Sequence, residues 1–231
     1  MNDHPARNIL VLGASGLIGR FVTDDLRRRG CHAIGIARGF SASQCATAFD
    51  IELPILSLEA PALTQLFREH EIGVIVNCLG VLQDGPGSDT GAVHRDFVVR
   101  PIAAIKAAGH AIRLVHISIP GTAGEDRTAF STTKREAERL IAASNIAYAI
   151  LRPGFVIAPS AYGGSAMVHA LAALPFELPE KERATPFQPV AVEDIASTIA
   201  WLAARPLEDE MANAVTWDLM QQDAVTLGGV I

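Results

Sequence analysis

Three glycines at intervals of three, Gly13, Gly16 and Gly19, stand in the run Gly13-Ala14-Ser15-Gly16-Leu17-Ile18-Gly19, directly after the apolar stretch Asn8-Ile9-Leu10-Val11-Leu12. A glycine turn between a strand and a helix lets backbone N–H groups approach a pyrophosphate, and the helix N-terminus adds favourable positive potential. Gly13 permits the tight turn, Gly16 the close approach of backbone to phosphate, and Gly19 the packing of helix on strand. The spacing is G-x-x-G-x-x-G rather than the commoner G-x-G-x-x-G, so the glycines alone are open to a plainer reading as a tight turn. A strand before them, a helix after them and a second strand on schedule turn the pattern into a dinucleotide cradle. That second strand ends Ile36-Ala37-Arg38, without the carboxylate that an NAD site places there for the ribose hydroxyls. The Arg38 guanidinium matches a 2′-phosphate instead, which predicts NADP(H) over NAD(H), against the alternative of a solvated surface arginine.

The elements that must position these residues follow from hydrophobic period and punctuation. Residues 8–12, 32–37, 72–76, 112–117 and 146–151 read as apolar strands, with a further short one at 46–49. Helical stretches lie between them at 20–29, 61–70, 93–108 (despite Pro101) and 129–143, and Arg152-Pro153-Gly154 is expected to stop the last of these strands. Strands alternating with helices predict an α/β, Rossmann-type doubly wound parallel sheet. The regular pattern supports a dinucleotide-binding core over residues 1–158. Residues 159–231 are expected to form a small C-terminal lobe with returning elements, punctuated by Gly163-Gly164 and four prolines, above the carboxyl edge of the sheet where open α/β folds bind ligands. A helix over 192–204 is expected there, capped by Glu193 or Asp194. The apolar finish Gly228-Gly229-Val230-Ile231 reads as an edge strand or as a boundary to further chain.

Composition narrows the classes. The chain has 231 residues, 49% of them apolar and 19% charged, which is ample for a core and excludes intrinsic disorder. Lys plus Arg is 19 and Asp plus Glu 25, a formal net charge of −6 with no basic block, so nucleic acid is not an expected partner. No apolar run reaches the ~18 residues of a membrane span. Cys31, Cys45 and Cys78 form neither an even framework nor a C-x-x-C pair and read as reduced, buried thiols of a cytoplasmic protein. No metal is expected.

Taken in order, further residues carry a family likeness: Asp50 after the third strand, Asn77-Cys78-Leu79-Gly80 after the fourth, Val115-His116-Ile117-Ser118 on the fifth, Lys134 in Ser131-Thr132-Thr133-Lys134-Arg135-Glu136-Ala137-Glu138, then Leu151-Arg152-Pro153-Gly154 and Pro189-Val190-Ala191-Val192-Glu193-Asp194. From about Asn8 to Leu202 the chain resembles the short-chain dehydrogenase/reductase superfamily, in its extended and atypical branches. It is most similar to the NAD-dependent epimerase/dehydratase group, which is in turn similar to the nucleotide-binding accessory subunit of respiratory complex I. The resemblance implies a cofactor site. Gly13, Ser15, Gly16, Leu17 and Ile18 would hold the pyrophosphate, and Arg38, Asp50 and Ile51 the adenosine end. Asn77, Leu79 and Gly80 would lie beside the adenosine ribose, Lys134 on the nicotinamide ribose, and Pro153 and Phe155 near the nicotinamide. Ser118 matches the substrate-orienting serine or its neighbour.

One departure bears on chemistry. The superfamily's helix carries Tyr-x-x-x-Lys, whose phenol exchanges a proton with the substrate oxygen, and this sequence places Phe130 at the tyrosine position. Phenylalanine keeps the ring and has no proton to give. Tyr162, in the lobe, is the substitute acid that the sequence offers, against a plainer role as a loop aromatic over the pocket. His116 shares a strand face with Ser118 and is read as packed beneath a helix rather than as a proton shuttle. The charges around Lys134, from Arg135 to Arg139, are read as a solvated helix face. Two functions follow: an oxidoreductase or epimerase-like enzyme acting on a small molecule with a different proton donor, or a noncatalytic NADP(H)-binding redox sensor or accessory subunit. An oligomer is compatible with either.

Overall fold

The protein is described by a computed structural model over residues 8–44, 47–86, 89–159, 163–173 and 179–230. The first half alternates strand and helix: β1 (Asn8–Leu12), α1 (Leu17–Arg28), β2 (Ala33–Ala37), β3 (Asp50–Glu52), α2 (Ala60–Glu69), β4 (Ile72–Asn77), α3 (Phe97–Ala107), β5 (Arg113–Ile117), α4 (Ala129–Ala142) and β6 (Ala147–Pro153). The remainder comprises β7 (Phe155–Ile157), α5 (Gly163–Ala173), α6 (Glu180–Arg183), β8 (Pro186–Phe187), β9 (Pro189–Ala191), α7 (Val192–Ala204), β10 (Val215–Leu219), β11 (Val225–Thr226) and α8 (Leu227–Val230).

Seven strands form one sheet in the order β10-β6-β5-β4-β1-β2-β3, and every neighbouring pair is parallel. Strands β1, β2, β4 and β5 are buried on both faces, as their near-continuous apolar sequences require. One core gathers Leu10, Ile36, Phe67, Phe97 and Ile141 beneath α2, α3 and α4; the other gathers Val11, Val22, Leu26, Ile195 and Ile199 beneath α1 and α7. The chain turns back at β1, between β2 and β4, and this reversal opens the crevice at the carboxyl ends of the strands where such sheets take ligands.

Two glycines shape the mouth of that crevice. Gly13 has φ +81°, a left-handed conformation that lets the chain turn sharply out of β1. A Cβ on Gly19 would lie 2.2 Å from the Gly13 carbonyl oxygen, so only glycine lets α1 sit this close to the turn.

Several sequence expectations are corrected. The third strand lies at Asp50–Glu52 rather than 46–49, because its pairing with β2 (Gly35 to Asp50, Ile36 to Ile51) sets Ile51 against the core. Asp50 therefore opens that strand instead of following it. Strand β6 runs on to Pro153 because β10 pairs with it through Arg152–Asp218 and Pro153–Leu219. The helix expected over 93–108 is a wide, π-type turn at Gly91–Asp96 followed by α3, which carries Pro101. Neither Glu193 nor Asp194 caps α7: its N-cap is Ala191 without a side-chain hydrogen bond, and both acids lie in the first turn, where the helix dipole favours them. The chain's apolar finish includes the single helical turn α8 rather than an edge strand. After β6, the pairs β7–β9 and β8–β11 form two small sheets, and α7 and β10 return to the main layers.

Candidate functional site

The site begins at the N-terminus of α1. Gly16 caps this helix with no side-chain hydrogen bond, so the first-turn N–H groups point outward without a competing side-chain acceptor. The turn is held from behind: the Gly13 and Ala14 N–H groups both donate to the Ile36 carbonyl, and the Gly16 N–H donates to the Gly13 carbonyl. A Cβ at Gly13 would meet the Cys78 carbonyl at 3.2 Å and the Leu79 side chain at 3.3 Å, so the glycine turn and the loop after β4 touch directly. The Ser15 carbonyl accepts from Gln44, which folds the segment after β2 back toward the same turn.

Lys134 joins the ends of β4 and β5. Its ammonium donates to the Leu79 carbonyl (3.1 Å) and the Ile117 carbonyl (2.9 Å), and only 4% of the residue is exposed. Burial pushes its pKa down to about 8, while Cys78 and Glu138 pull the other way. Two bonds leave one ammonium donor over, and Gly80 lies alongside: a Cβ there would be 3.6 Å from both Lys134 Nζ and His94 Nε2. Asn77 is buried at the end of β4; its side-chain oxygen accepts from the Leu79 N–H, and its amide pairs with His116 Nδ1 at 3.2 Å. The Cys78 thiol is enclosed although the residue is partly exposed, and burial pushes it up to about 12.

His94 belongs to this group, although a lone histidine in the first turn of an expected helix gave no signal in the sequence. Its Nε2 accepts the Val81 N–H (3.1 Å), so Nδ1 carries the proton and donates to Thr133 Oγ1 (2.9 Å). Burial, followed by the Lys134 charge, pushes its pKa down to about 4. The Phe130 ring meets the His94 ring edge-on with centroids 5.5 Å apart. His116 is buried beneath α4 and held neutral, its pKa lowered well below the ordinary value by burial and then by Lys134.

A second group controls the loop after β5. The Glu138 carboxylate accepts two hydrogen bonds from Arg152 (2.6 and 2.9 Å) and two from Arg135 Nη1 (3.1 and 3.2 Å). Arg135 also donates to the carbonyls of Ile119, Pro120 and Gly121, and approaches Asp126 at 3.5 Å. Burial alone would raise Glu138; the Arg152 hydrogen bonds, the Ser118 hydroxyl and the two guanidinium charges outweigh it and hold the carboxyl below its ordinary value. Ser118 is buried, with its own N–H on the Leu151 carbonyl and its hydroxyl without a geometric hydrogen-bond partner among the described residues. The solvated-face reading of α4 is corrected here: Arg135 and Glu138 are both buried, because the partner that neutralises them, Arg152, arrives from the next strand.

The remaining predicted residues lie further out. Arg38 is exposed just past β2. Asp50 faces Arg27, which holds it through bonds of 2.8 and 3.3 Å. Burial alone would raise Asp50, yet Arg27 and Thr47 keep it below its ordinary value. Ile51 packs on the core. Pro153 is buried, and Phe155 stacks on Phe187 with centroids 4.9 Å apart. Tyr162 and Cys45 lie outside the described residues. Among the described residues there is no group of histidine, cysteine and acidic side chains arranged to hold a metal, and no helix long and apolar enough to cross a membrane.

A parallel sheet with a glycine-lined crevice at its reversal point defines a Rossmann-type α/β protein, and a lysine on the helix beside β5 faces that crevice's end of the sheet. The chain belongs to the NAD dependent epimerase/dehydratase family, which it matches over residues 9–210. Its fold is shared with the WbmG enzyme of Bordetella bronchiseptica, solved in complex with NAD (TM-score 0.77, 17% identity, 99% of this chain and 77% of that one). It is also similar to MoeE5 in complex with UDP-glucuronic acid and NAD (TM-score 0.75, 21% identity, 97% and 80%). UDP-glucose 4-epimerase of Thermotoga maritima aligns too (TM-score 0.73, 16% identity, 95% and 79%). No curated protein matches the chain in sequence.

Proposed function

We propose that this protein binds NAD(P)(H) in the crevice between β1 and β4, and that it acts as a dinucleotide-binding sensor or accessory subunit rather than through the tyrosine chemistry of dehydrogenases. The residues fit the group. The uncapped α1 N-terminus and the cradle of Gly13, Ser15, Gly16, Leu17 and Ile18 suit a diphosphate, and Asn77, Leu79 and Gly80 suit the neighbouring sugar. The spare Lys134 donor suits the second ribose, and Pro153 and Phe155 suit a flat ring. When bound, NAD(P)(H) supplies hydride exchange at its nicotinamide.

The observation that carries the noncatalytic reading is Phe130, one helical turn before Lys134, with its ring packed on a neutral His94. Nearby, both His94 nitrogens are committed, to Val81 and Thr133; His116 is bonded at Nδ1 to Asn77, while its Nε2 and the Ser118 hydroxyl are buried without a hydrogen-bond partner among the described residues. The second reading, an oxidoreductase or epimerase-like enzyme, is favoured by the family itself and assigns the missing proton to Tyr162, with Ser118 and Lys134 beside the substrate. A preference for NADP(H) is supported by Arg38, exposed beyond β2, while Glu52, paired in register with Ala37, already accepts the Phe40 N–H.

Titrating the protein with NADPH, NADP⁺, NADH and NAD⁺ by calorimetry tests the binding claim, and absence of heat with all four overturns it. Unequal affinity for reduced and oxidised forms is the signature of a sensor, because a ligand shifts states only by its differential affinity. Turnover of a carbonyl panel by the wild-type protein, abolished in Tyr162→Phe, would establish the enzymatic reading instead.

A further inference from the structure

A cavity of about 580 Å³ opens beside α7, walled by Ile157 of β7, Pro189 and Val190 of β9, and Leu219 and Met220 at the end of β10. It shares no lining residue with the glycine cradle or the Lys134 group, and the helix that packs beside it, α7, is on the opposite face of the sheet from α4. Its size falls within the ~300–1,000 Å³ usual for small-molecule sites. The backbone closes one end, where the Gln221 N–H donates to the Pro189 carbonyl at 3.1 Å.

The charged side chains on this apolar wall are both acids, Asp194 and Asp218. Asp194 caps nothing, and among the described residues its carboxylate has neither a hydrogen bond nor an ion pair. Asp218 is 55% exposed and only 3.9 Å from Arg152, whose short bonds of 2.6 and 2.9 Å go to Glu138 instead. Asp194 is therefore unpaired and Asp218 keeps only the long Arg152 contact, both on the wall of a greasy hollow in a chain whose formal charge is −6.

We propose that this cavity is a second ligand site, separate from the dinucleotide crevice, that takes an apolar small molecule bearing a protonated amine. The hydrocarbon lies along Val190, Leu219 and Met220, and the ammonium sits between Asp194 and Asp218, where an anionic head would be repelled.

Three probes with the same tail isolate the head group: octylamine, 1-octanol and octanoate. Calorimetry is expected to detect octylamine, to find 1-octanol weaker by about tenfold as a charge-assisted contact is lost, and to find no binding of octanoate. The double change Asp194→Asn with Asp218→Asn is expected to bring octylamine down to the level of octanol. Ala191→Trp, an exposed position on the cavity wall and so tolerant of substitution, is expected to fill the hollow and abolish binding. NADPH affinity serves as the independent readout and is expected to be unchanged in all three proteins. Equal binding of octylamine and octanoate, octylamine affinity that survives both substitutions, displacement of octylamine by NADPH, or no octylamine heat at all overturns the proposal.

Discussion

The Phe130 ring meets His94 edge-on at 5.5 Å between centroids, one helical turn before Lys134, and brings no hydroxyl to that position. His94 cannot take over the task. Its pKa is pushed down to about 4, its Nε2 lone pair is used by Val81, and its proton is directed at Thr133. Phe130→Tyr restores the missing group on a helix that already holds its lysine. With NADPH and a panel of carbonyl compounds, the variant is expected to gain turnover over wild type by a factor of about 10²–10⁴, the usual contribution of a positioned general acid. Nicotinamide absorbance follows the reaction. Equal rates in the two proteins would mean that proton delivery comes from elsewhere.

Lys134 is expected to make cofactor binding depend on pH. Its folded pKa of about 8 lies below the ordinary 10.5, so the unfolded chain holds more protons between those values. Burial of the charge therefore costs stability in full below pH 8, and that cost is lifted as pH rises toward 10.5. Affinity runs the opposite way, since the ammonium loses a donor and its charge above pH 8. NADPH titrations from pH 7 to 9.5 are expected to show weakening by about tenfold, the worth of a charged hydrogen bond. In Lys134→Met the affinity is expected to be low and flat across that range.

Glu138 holds the arginine knot together. Glu138→Gln leaves Arg135 and Arg152 with only their longer contacts to Asp126 and Asp218, which is expected to cost about 3 kcal/mol, the scale for breaking a buried pair. A lower Tm and faster amide exchange at Ile119 and Gly121, in the segment whose carbonyls Arg135 holds, are the measurements. The wild-type contribution follows the depressed carboxyl: it is present above the ordinary carboxylate pKa and is lost as pH falls through the lower folded value. Acid unfolding of Glu138→Gln is accordingly expected to be less steep than that of wild type.

Arg38→Ala separates the two coenzymes. The guanidinium is exposed beyond β2, and its removal is expected to weaken NADPH by about tenfold or more, as loss of a charge-assisted contact does. NADH binding is expected to be unchanged. Equal losses for both coenzymes would assign Arg38 to the strand end rather than to a 2′-phosphate.

Local patterns carried most of the architecture. Apolar runs of strand length, glycines at fixed offsets and helical periods are properties of neighbouring residues, and β1, α1, β2, β4, β5, α4 and α7 lie where those patterns predict. Gly13 and Gly19 were legible for the same reason: a tight turn and a close helix contact each leave a mark within seven residues. The boundary errors have a common cause as well. The positions of β3 and of the end of β6 are set by pairing with β2 and β10, partners that the local sequence does not contain.

Residue order alone was therefore enough to read the alternation of strands and helices, the glycine turn and the lack of a hydroxyl at position 130. Only the tertiary structure decided which charges are buried. Arg135 and Glu138 have the composition of a solvated helix face, and a strand 14 residues beyond Glu138 brings Arg152 to neutralise them. It also decided that both His94 nitrogens are engaged, and that Asp194, unpaired among the described residues, stands beside a cavity instead of capping α7. Burial and pairing depend on distances between residues far apart in the chain, and those distances exist only once the sheet has closed.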